Sequence, residues 1–359
     1  MIRIGGKINR RDMRRNAKEI YNPYSVLILH NVMSDWTPAD IEAAEQAVTR
    51  MKYGLTSLGM EVTSIPVRRD IEGALRGFDP RECVIFNWCE GLDGEPNAYD
   101  AIPPILERLG FMYTGSDAWC LNITEDKVAT KEILRRHRIP TPQAAVYSRP
   151  ARNGWVRFPA LVKPATEHCS LGITRDSVVD NSDALRKRVE FVLDTYHCKA
   201  LVEDFIDGPE YNVSLWGNDR LDVLPLSLID YSVFPDYHDR LCSYDAKWDP
   251  ASEAYLLTSV RCPAPVEDEL RRRIENVCRR TQRSLRVRDY GRVDLRVRDG
   301  IPYVVDVNSN PDITMEGGFA RSARAAGYDY GQTIARILEL ASARYAIPAE
   351  IPERELVMA

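Results

Sequence analysis

Residue types that bind phosphate and hard metal ions gather in one stretch, Arg292 to Pro311. Arg292 and Asp294 lie two residues apart, as do Asp306 and Asn308, with Asp299-Gly300 between the pairs. Alternation in each half predicts two strands around a turn. On the first strand Arg292, Asp294 and Arg296 share a face opposite Val293, Leu295 and Val297. On the second, Val304, Asp306 and Asn308 share a face opposite Tyr303, Val305 and Val307. If Asp294 sits across from Asp306, Arg292 faces Asn308 and the loop is Asp299-Gly300-Ile301, a three-residue hairpin. A two-residue loop would put Asp294 opposite Val305 and scatter the polar groups. With the longer loop, two carboxylates, an amide and a guanidinium converge. Their oxygens suit Mg²⁺, and an arginine beside that ion suits a phosphate. A solvated face of an edge hairpin would carry the same charges, and this stretch by itself does not choose.

The elements that position such a patch must come from a chain of 359 residues, long enough for two or three domains. Hydrophobic residues make up 44% and charged residues 28%, an ordinary globular balance. The net charge of −5 gives no reason to expect nucleic acid. The Arg-rich stretch 270–286 reads as a solvated helix face. No apolar run reaches the roughly 20 residues of a membrane span. Residues 1–18 are basic without an apolar core, so they do not form a secretory signal. The eight cysteines are scattered with no CxxC, which argues against a zinc site or disulfide framework and fits a cytoplasmic protein.

Residues 1–22 read as an extension. From Tyr24 short apolar runs (25–30, 61–66, 83–87) alternate with helical patterns (38–58, 71–78, 99–109). That alternation predicts an α/β domain with a doubly wound parallel sheet over 23–121. Beyond it, helices are expected at 127–137, 183–196, 265–283, 315–327 and 329–345. Strands are expected at 158–164, 200–205, 210–216 and 221–229. Residues 230–258 read as a long irregular loop, the length of a lid. Several charged residues stand at element ends. Lys127 opens a helix, Lys163 closes a strand, Glu203 and Glu210 flank a turn at Gly208, and Lys247 lies in the long loop.

In this order the segments resemble the ATP-grasp superfamily, and within it the D-alanine–D-alanine ligase group. The carrying segments are Tyr113-Thr-Gly-Ser116, Asp126-Lys127, Val162-Lys-Pro164, Val202-Glu203, Gly208-Pro-Glu210, Ala246-Lys247, and Arg292-Val-Asp294 with Asp306-Val-Asn308-Ser-Asn-Pro311. The resemblance runs from about Tyr24 to Leu340. It implies two α+β ATP-grasp subdomains, 122–206 and 207–345, that sandwich a nucleotide, followed by a tail at 346–359. It implies that Lys127 and Lys163 hold the α- and β-phosphates of ATP. Glu203 and the backbone near Ile206 meet the adenine, Glu210 the ribose, and Lys247 the γ-phosphate. Asp294, Asp306 and Asn308 would hold Mg²⁺, with Mn²⁺ as an alternative, and Arg292 would steady the transferring phosphoryl group. Ser170 matches the family's phosphate loop, and Thr166–Gly172 and about 230–250 are the expected covering loops. The implied reaction joins small-molecule carboxylate and amine substrates through an acyl phosphate, releasing ADP. A homodimer through the N-terminal part is known in the family and is left open here.

Departures concern the substrates. The family's Gly-Gly-x-Ser-x-Glu after the first strand, whose Glu meets an amine, is replaced by His30-Asn-Val-Met-Ser-Asp35-Trp36. His168 and Cys169 replace a Gly and a substrate-facing Ser of the phosphate loop; Cys169 reads as a pocket residue rather than a nucleophile. Asp312 replaces a Gly, and Gly317 stands near the place of a Ser that anchors a substrate carboxylate. Trp248 replaces a Tyr, and Asp306 a common Glu. Arg321 and Arg324 are candidates for a substitute anchor, or exposed helix charges. The expectation is an amide-forming ligase whose substrates are not two D-alanines. A true D-alanine–D-alanine ligase and a catalytically silent nucleotide-binding regulator are the alternatives.

Overall fold

The computed structural model describes residues 24–345, except 151–153, 168, 169 and 250. The expectations for the N-terminal extension, His168, Cys169 and the tail lie outside the described residues.

The chain opens with β1 (Ser25–Asn31), α1 (Pro38–Thr56), β2 (Val62–Val67), α2 (Ile71–Leu75), β3 (Cys83–Trp88), α3 (Ile102–Arg108) and β4 (Met112–Tyr113). α1 starts where expected because Thr37 and Asp40 form a capping box and Pro38 stands at the first helical position. The four strands form a parallel sheet in the order β2-β1-β3-β4. Their apolar runs are buried on both faces, as parallel strands require. Leu27, Leu29 and Ile85 pack against α2 and α3. Val26, Ile28, Val84 and Phe86 pack toward α1 and the C-terminal helix.

Two further helices, α4 (Ala118–Glu125) and α5 (Lys127–Arg136), lead to a second sheet. It contains β5 (Ala144–Tyr147), β6 (Ala160–Pro164), β7 (Val178–Val179) and β8 (Ala200–Asp204), with α6 (Ser182–Tyr196) packed on it. The order is β5-β8-β6-β7, antiparallel throughout. α4 and β5 were not anticipated. β5 is an edge strand whose Ala144-Ala145 carries little strand preference.

The third sheet contains β9 (Glu210–Trp216), β10 (Asp222–Val223), β11 (Ser227–Asp230), β12 (Ser259–Arg261), β13 (Tyr290–Arg298) and β14 (Ile301–Asn308). β9 lies between β11 and β13, and β14 forms one edge. Within the stretch expected to be an irregular loop, 230–258, two short helices form, α7 (Tyr244–Trp248) and α8 (Glu253–Leu257), each with a serine N-cap. α9 (Asp268–Ser284) covers this sheet, while α10 (Gly318–Ala325) and α11 (Tyr330–Tyr345) return the chain to the first one. α10 begins three residues later than the expected 315. α11 crosses α1 at Gly54 and Gly331, where a Cβ on Gly331 would lie 2.5 Å from the Gly54 carbonyl oxygen.

The β13–β14 hairpin differs from the sequence expectation in an instructive way. Arg298 pairs with Ile301, so the loop is the two residues Asp299-Gly300, with φ of 54° and 70°. That is the left-handed pair a two-residue hairpin turn needs. The expected three-residue loop is therefore wrong, yet Arg292 still faces Asn308 and Asp294 still faces Asp306. A register shift after Asp294 leaves Val305 as an extra residue on β14. Val304 and Val307 both enter the core, so Val304 does not share the face of Asp306 as alternation predicted.

Candidate active site

Four elements bring a buried cluster of charge to the gap between the second and third sheets. Lys163 lies on β6 and Glu203 on β8, next to one another in the second sheet. Lys127 starts α5, and Asp126 before it caps the helix through the backbone amides of Val128 and Ala129. From the third sheet comes the β14 bulge. Lys163 Nζ donates to the carbonyl of Val305 at 3.2 Å, the residue displaced from regular pairing. The bulge thus places a carbonyl where a lysine from the other sheet reaches it.

Glu203 is fully buried and forms ion pairs with two ammonium groups, Lys131 at 2.5 Å and Lys163 at 2.9 Å. Burial pushes the carboxyl pKa up, but the two lysines outweigh it and hold the group below its ordinary value. Burial likewise opposes charge on Lys163, while Glu203 and Asp306 raise its pKa. Burial dominates at Lys131, whose pKa is held down to about 8 despite Glu203. Lys131 also donates to Thr141 Oγ1 at 2.7 Å and to the Pro142 carbonyl at 3.1 Å. Thr141 in turn donates to the Val304 carbonyl at 2.8 Å. Lys131 was missed in the sequence because mid-helix lysines are usually solvated. The available signal was its one-turn spacing from Lys127, which puts both on one helix face. Burial lowers the Lys127 pKa, and its ammonium donates to the Glu167 carbonyl at the start of the covering loop.

The hairpin residues converge as expected. Arg292 grips Asp294 with two hydrogen bonds, Nε to Oδ1 at 2.8 Å and Nη2 to Oδ2 at 2.9 Å. Asn212 on β9 donates to Asp294 Oδ1 at 2.8 Å, and Asn308 to Oδ2 at 3.3 Å. Burial opposes the Arg292 charge, but Asp294 and then Asp306 raise its pKa. Asn212 was also missed; it reaches the patch only because β9 pairs with β13 in a register that sets it opposite Asp294.

Other expected residues stand apart from this cluster. Glu210, at the start of β9, accepts from the Tyr231 hydroxyl at 3.1 Å and lies 3.6 Å from Arg296. Ile206 is buried just beyond β8. Ser170 has φ of 64° and donates to the Cys242 carbonyl at 2.6 Å, which is part of the other covering loop. The Tyr244 amide donates back to the Ile173 carbonyl at 3.3 Å. Farther along, Arg175 pairs with Asp236 and Asp239, and His238 lies 2.7 Å from Asp236 and 2.9 Å from Asp180. The two expected covering loops are therefore latched to each other. Lys247 lies on α7 in the upper loop, and its side chain lies outside the described atoms. Arg321 and Arg324 donate to the carbonyls of Glu316 and Met315. Each thereby braces that turn with one of its guanidinium nitrogens.

A family model described as D-ala D-ala ligase C-terminus matches residues 128–339. The chain belongs to the D-alanine–D-alanine ligase family. It is an ADP-forming ATP-grasp ligase of that type. Among curated relatives of this ligase, the uncharacterized protein y4sG of Sinorhizobium fredii is 33% identical over 264 residues, spanning 73% of this chain and 75% of that protein. The D-alanine–D-alanine ligase of Desulforudis audaxviator is 30% identical over 296 residues, spanning 81% of this chain and 90% of that one. The ATP-complexed D-alanine–D-alanine ligase from Bacillus anthracis superposes with a TM-score of 0.68 at 22% identity. It covers 89% of this chain and 98% of that one, which establishes the shared fold. No described helix is long and apolar enough to cross a membrane.

Proposed function

We propose that this ligase joins a carboxylate and an amine other than two D-alanines, activating the carboxylate as an acyl phosphate. The observation that carries the phosphoryl-transfer reading is the gap between the sheets. Buried ammonium groups of Lys127 and Lys163 on one side oppose Asp294, Asp306, Asn308 and Arg292 on the other. Cations on one wall and hard oxygen donors on the other suit a nucleotide triphosphate held between them. Lys127 and Lys163 would meet the α- and β-phosphates, and Lys247 the γ-phosphate from the covering loop. Each oxygen of Glu203 keeps a lone pair beyond its lysine, so this residue and the backbone up to Ile206 can meet the adenine. Glu210 would meet the ribose.

Two carboxylates in register and the Asn308 amide form a donor set that fits Mg²⁺ or Mn²⁺. When bound, the ion would neutralise phosphate charge. Arg292 bridges from this set to the reacting phosphoryl group. A carboxylate oxygen of the first substrate attacks the γ-phosphorus, the bond to the bridging oxygen breaks, and ADP leaves. The amine nitrogen then attacks the acyl carbon, loses its proton, and phosphate is expelled as the amide forms. Ser170 and the latched loops would exclude water from the acyl phosphate.

The substrate reading rests on the turn before α10. Asp312 Oδ1 accepts from the Thr314 amide at 2.8 Å, and a Cβ on Gly317 would lie 2.8 Å from Asp312 Oδ2. The helix N-terminus is thus covered by the chain's own carboxylate, which disfavours a substrate carboxylate there. The test is ADP release with ATP and Mg²⁺ across D- and L-amino acids, amines and carboxylates, singly and in pairs. ADP formed with one pair and a matching product mass supports the reading. D-alanine alone as the productive substrate refutes the substrate half of it. No ADP with any pair, despite ATP binding, refutes the ligase chemistry and favours a regulator.

A further inference from the structure

Arg296 lies two residues beyond Asp294 on β13, on the face that also carries Arg292. It is only 4% exposed, and an arginine is seldom buried unless it is paired. Its register partner across the sheet is Glu210, the first residue of β9. Nε lies 3.6 Å from Glu210 Oε2. The Tyr231 hydroxyl donates to the same oxygen at 3.1 Å, so a cation and a phenol together orient the carboxylate. The guanidinium carbon lies 5.0 Å from the centre of the Phe205 ring and 5.4 Å from that of Tyr231, within the range of cation–π attraction. Nη2 donates to the Arg240 carbonyl at 2.8 Å.

That carbonyl belongs to the upper covering loop. The Arg240 guanidinium turns back to Asp207, at 3.2 and 3.1 Å, and to the carbonyls of Phe234 and Pro235, both at 3.0 Å. Leu241 packs with Phe205 and Val178, and the Cys242 carbonyl accepts from Ser170 of the phosphate loop. Residues 240–242 thus run from Arg296 to the lower loop. Nε of Arg296 is buried and makes no hydrogen bond with a described residue. A buried donor without an acceptor is costly, and a carboxylate drawn toward it gains a charge-assisted bond. One rigid planar fork therefore serves both the Glu210 carboxylate and the loop backbone, so the positions of the two are set together.

We propose that Arg296 is a positioning residue that couples recognition of the nucleotide ribose at Glu210 to the seating of residues 231–242 over the phosphate loop. The proposal rests on the reading that places the ribose at Glu210, and it deepens that reading by naming what the contact controls. A nucleotide whose ribose engages Glu210 favours the seated loop; one that lacks the hydroxyls binds without that bias.

The test compares ADP with its dideoxy analogue, which lacks both ribose hydroxyls, in the presence of Mg²⁺. The full-length wild type, Arg296→Lys and Glu210→Gln are measured for affinity by calorimetry and, at saturation, for the rate of chymotryptic cleavage within 231–242. Wild type should bind ADP about tenfold tighter or more, as hydrogen bonds to a charged group give. Saturating ADP should also slow cleavage severalfold more than the saturating analogue does. In Arg296→Lys an ammonium can still stand beside Glu210 but lacks the fork that reaches Arg240. That variant should keep the preference for ADP, while the two nucleotides protect the loop equally. A merely structural arginine would instead lower the melting temperature and leave the difference in protection intact. Equal protection by both nucleotides in the wild type overturns the proposal without recourse to any variant, and so does a difference that persists in Arg296→Lys. Glu210→Gln should lose both the affinity preference and the difference in protection. If it keeps the preference, the ribose is not at Glu210 and the underlying reading fails together with the proposal. Loss of the preference in Glu210→Gln alongside equal protection in the wild type overturns the proposal alone.

Discussion

Replacing Glu203 by Gln removes one charge and almost no volume from a buried trio. In the native protein one carboxylate is shared by two ammonium groups, at 2.5 and 2.9 Å. In the variant two lysines face a neutral amide, each still desolvated. Breaking a buried pair from one side costs about 3–5 kcal/mol. With an unfolding entropy of roughly 0.7 kcal/mol/K for a fold of this size, the midpoint should fall by about 6 °C. Lys131→Met should cost less, about 1–2 kcal/mol, since it leaves Lys163 and Glu203 as a matched pair and removes only the bonds to Thr141 and Pro142. The double variant should then melt above the value expected from adding the two losses, with a coupling of about 2 kcal/mol. The pH dependence has a definite sign. Lys131 already sits at about 8 in the folded protein, below its unfolded value, and losing Glu203 lowers it further. The unfolded chain then binds more protons than the folded one over a wider range, so stability rises with pH there. Glu203→Gln should regain part of its loss between pH 7 and 9. Thermal melts of the four proteins at those two pH values decide the matter; additive losses with no pH recovery would refute the trio.

Asp306→Asn should raise the Mg²⁺ concentration for half-maximal turnover by at least roughly tenfold, and an unaltered Mg²⁺ titration would remove this residue from the metal set. Arg292→Ala should cut turnover by about 10²–10³-fold with ATP affinity nearly intact; unchanged turnover would sink its phosphoryl role. Gly331→Ala should destabilise the protein by about 1–3 kcal/mol, because its Cβ would meet the Gly54 carbonyl; an unchanged melt would contradict that close approach. His238 lies between Asp236 and Asp180, and although partial burial pulls its pKa down, those two hydrogen bonds raise it above 6.5. Its contribution to the loop latch is full below the unfolded pKa and is lost as pH rises through the folded one. Proteolysis within 230–250 should therefore be slower at pH 6 than at pH 8.5, and Asp180→Asn should flatten that difference; a pH-independent rate in the wild type would count against the latch.

Much of the first sheet was legible because buried parallel strands leave short apolar runs between capped helices, as at Ser25–Asn31 and Cys83–Trp88. The pairing of Asp294 with Asp306 was also legible, since a face that gathers charge constrains the register. What periodicity could not encode was how the register was kept. Asp299-Gly300 favours the two-residue turn that would have misaligned the carboxylates, and one extra residue at Val305 restores them. Bulges carry no reliable sequence mark, so a correct pairing was reached with the wrong loop. β5 and the short helices of 244–257 were hidden for a related reason: their formation depends on an edge partner or a single serine cap more than on pattern.

The same bulge explains why the charged residues between the two sheets could be picked out while their support could not. Lys127, Lys163 and Glu203 stand at element ends, where charged residues in sequence attract notice. Their support runs through Lys131, Thr141 and the carbonyls of Val304 and Val305, which a one-dimensional reading treats as a helix surface, a loop and strand backbone. A regular ladder at Val305 would turn that carbonyl toward its strand partner and away from Lys163. The bulge therefore does two jobs with one residue: it aligns Asp306 with Asp294, and it supplies an acceptor that helps fix a buried lysine between two sheets. Deleting Val305 should abolish both together. Loss of Mg²⁺ sensitivity without loss of ATP affinity in that deletion would show that the two are independent.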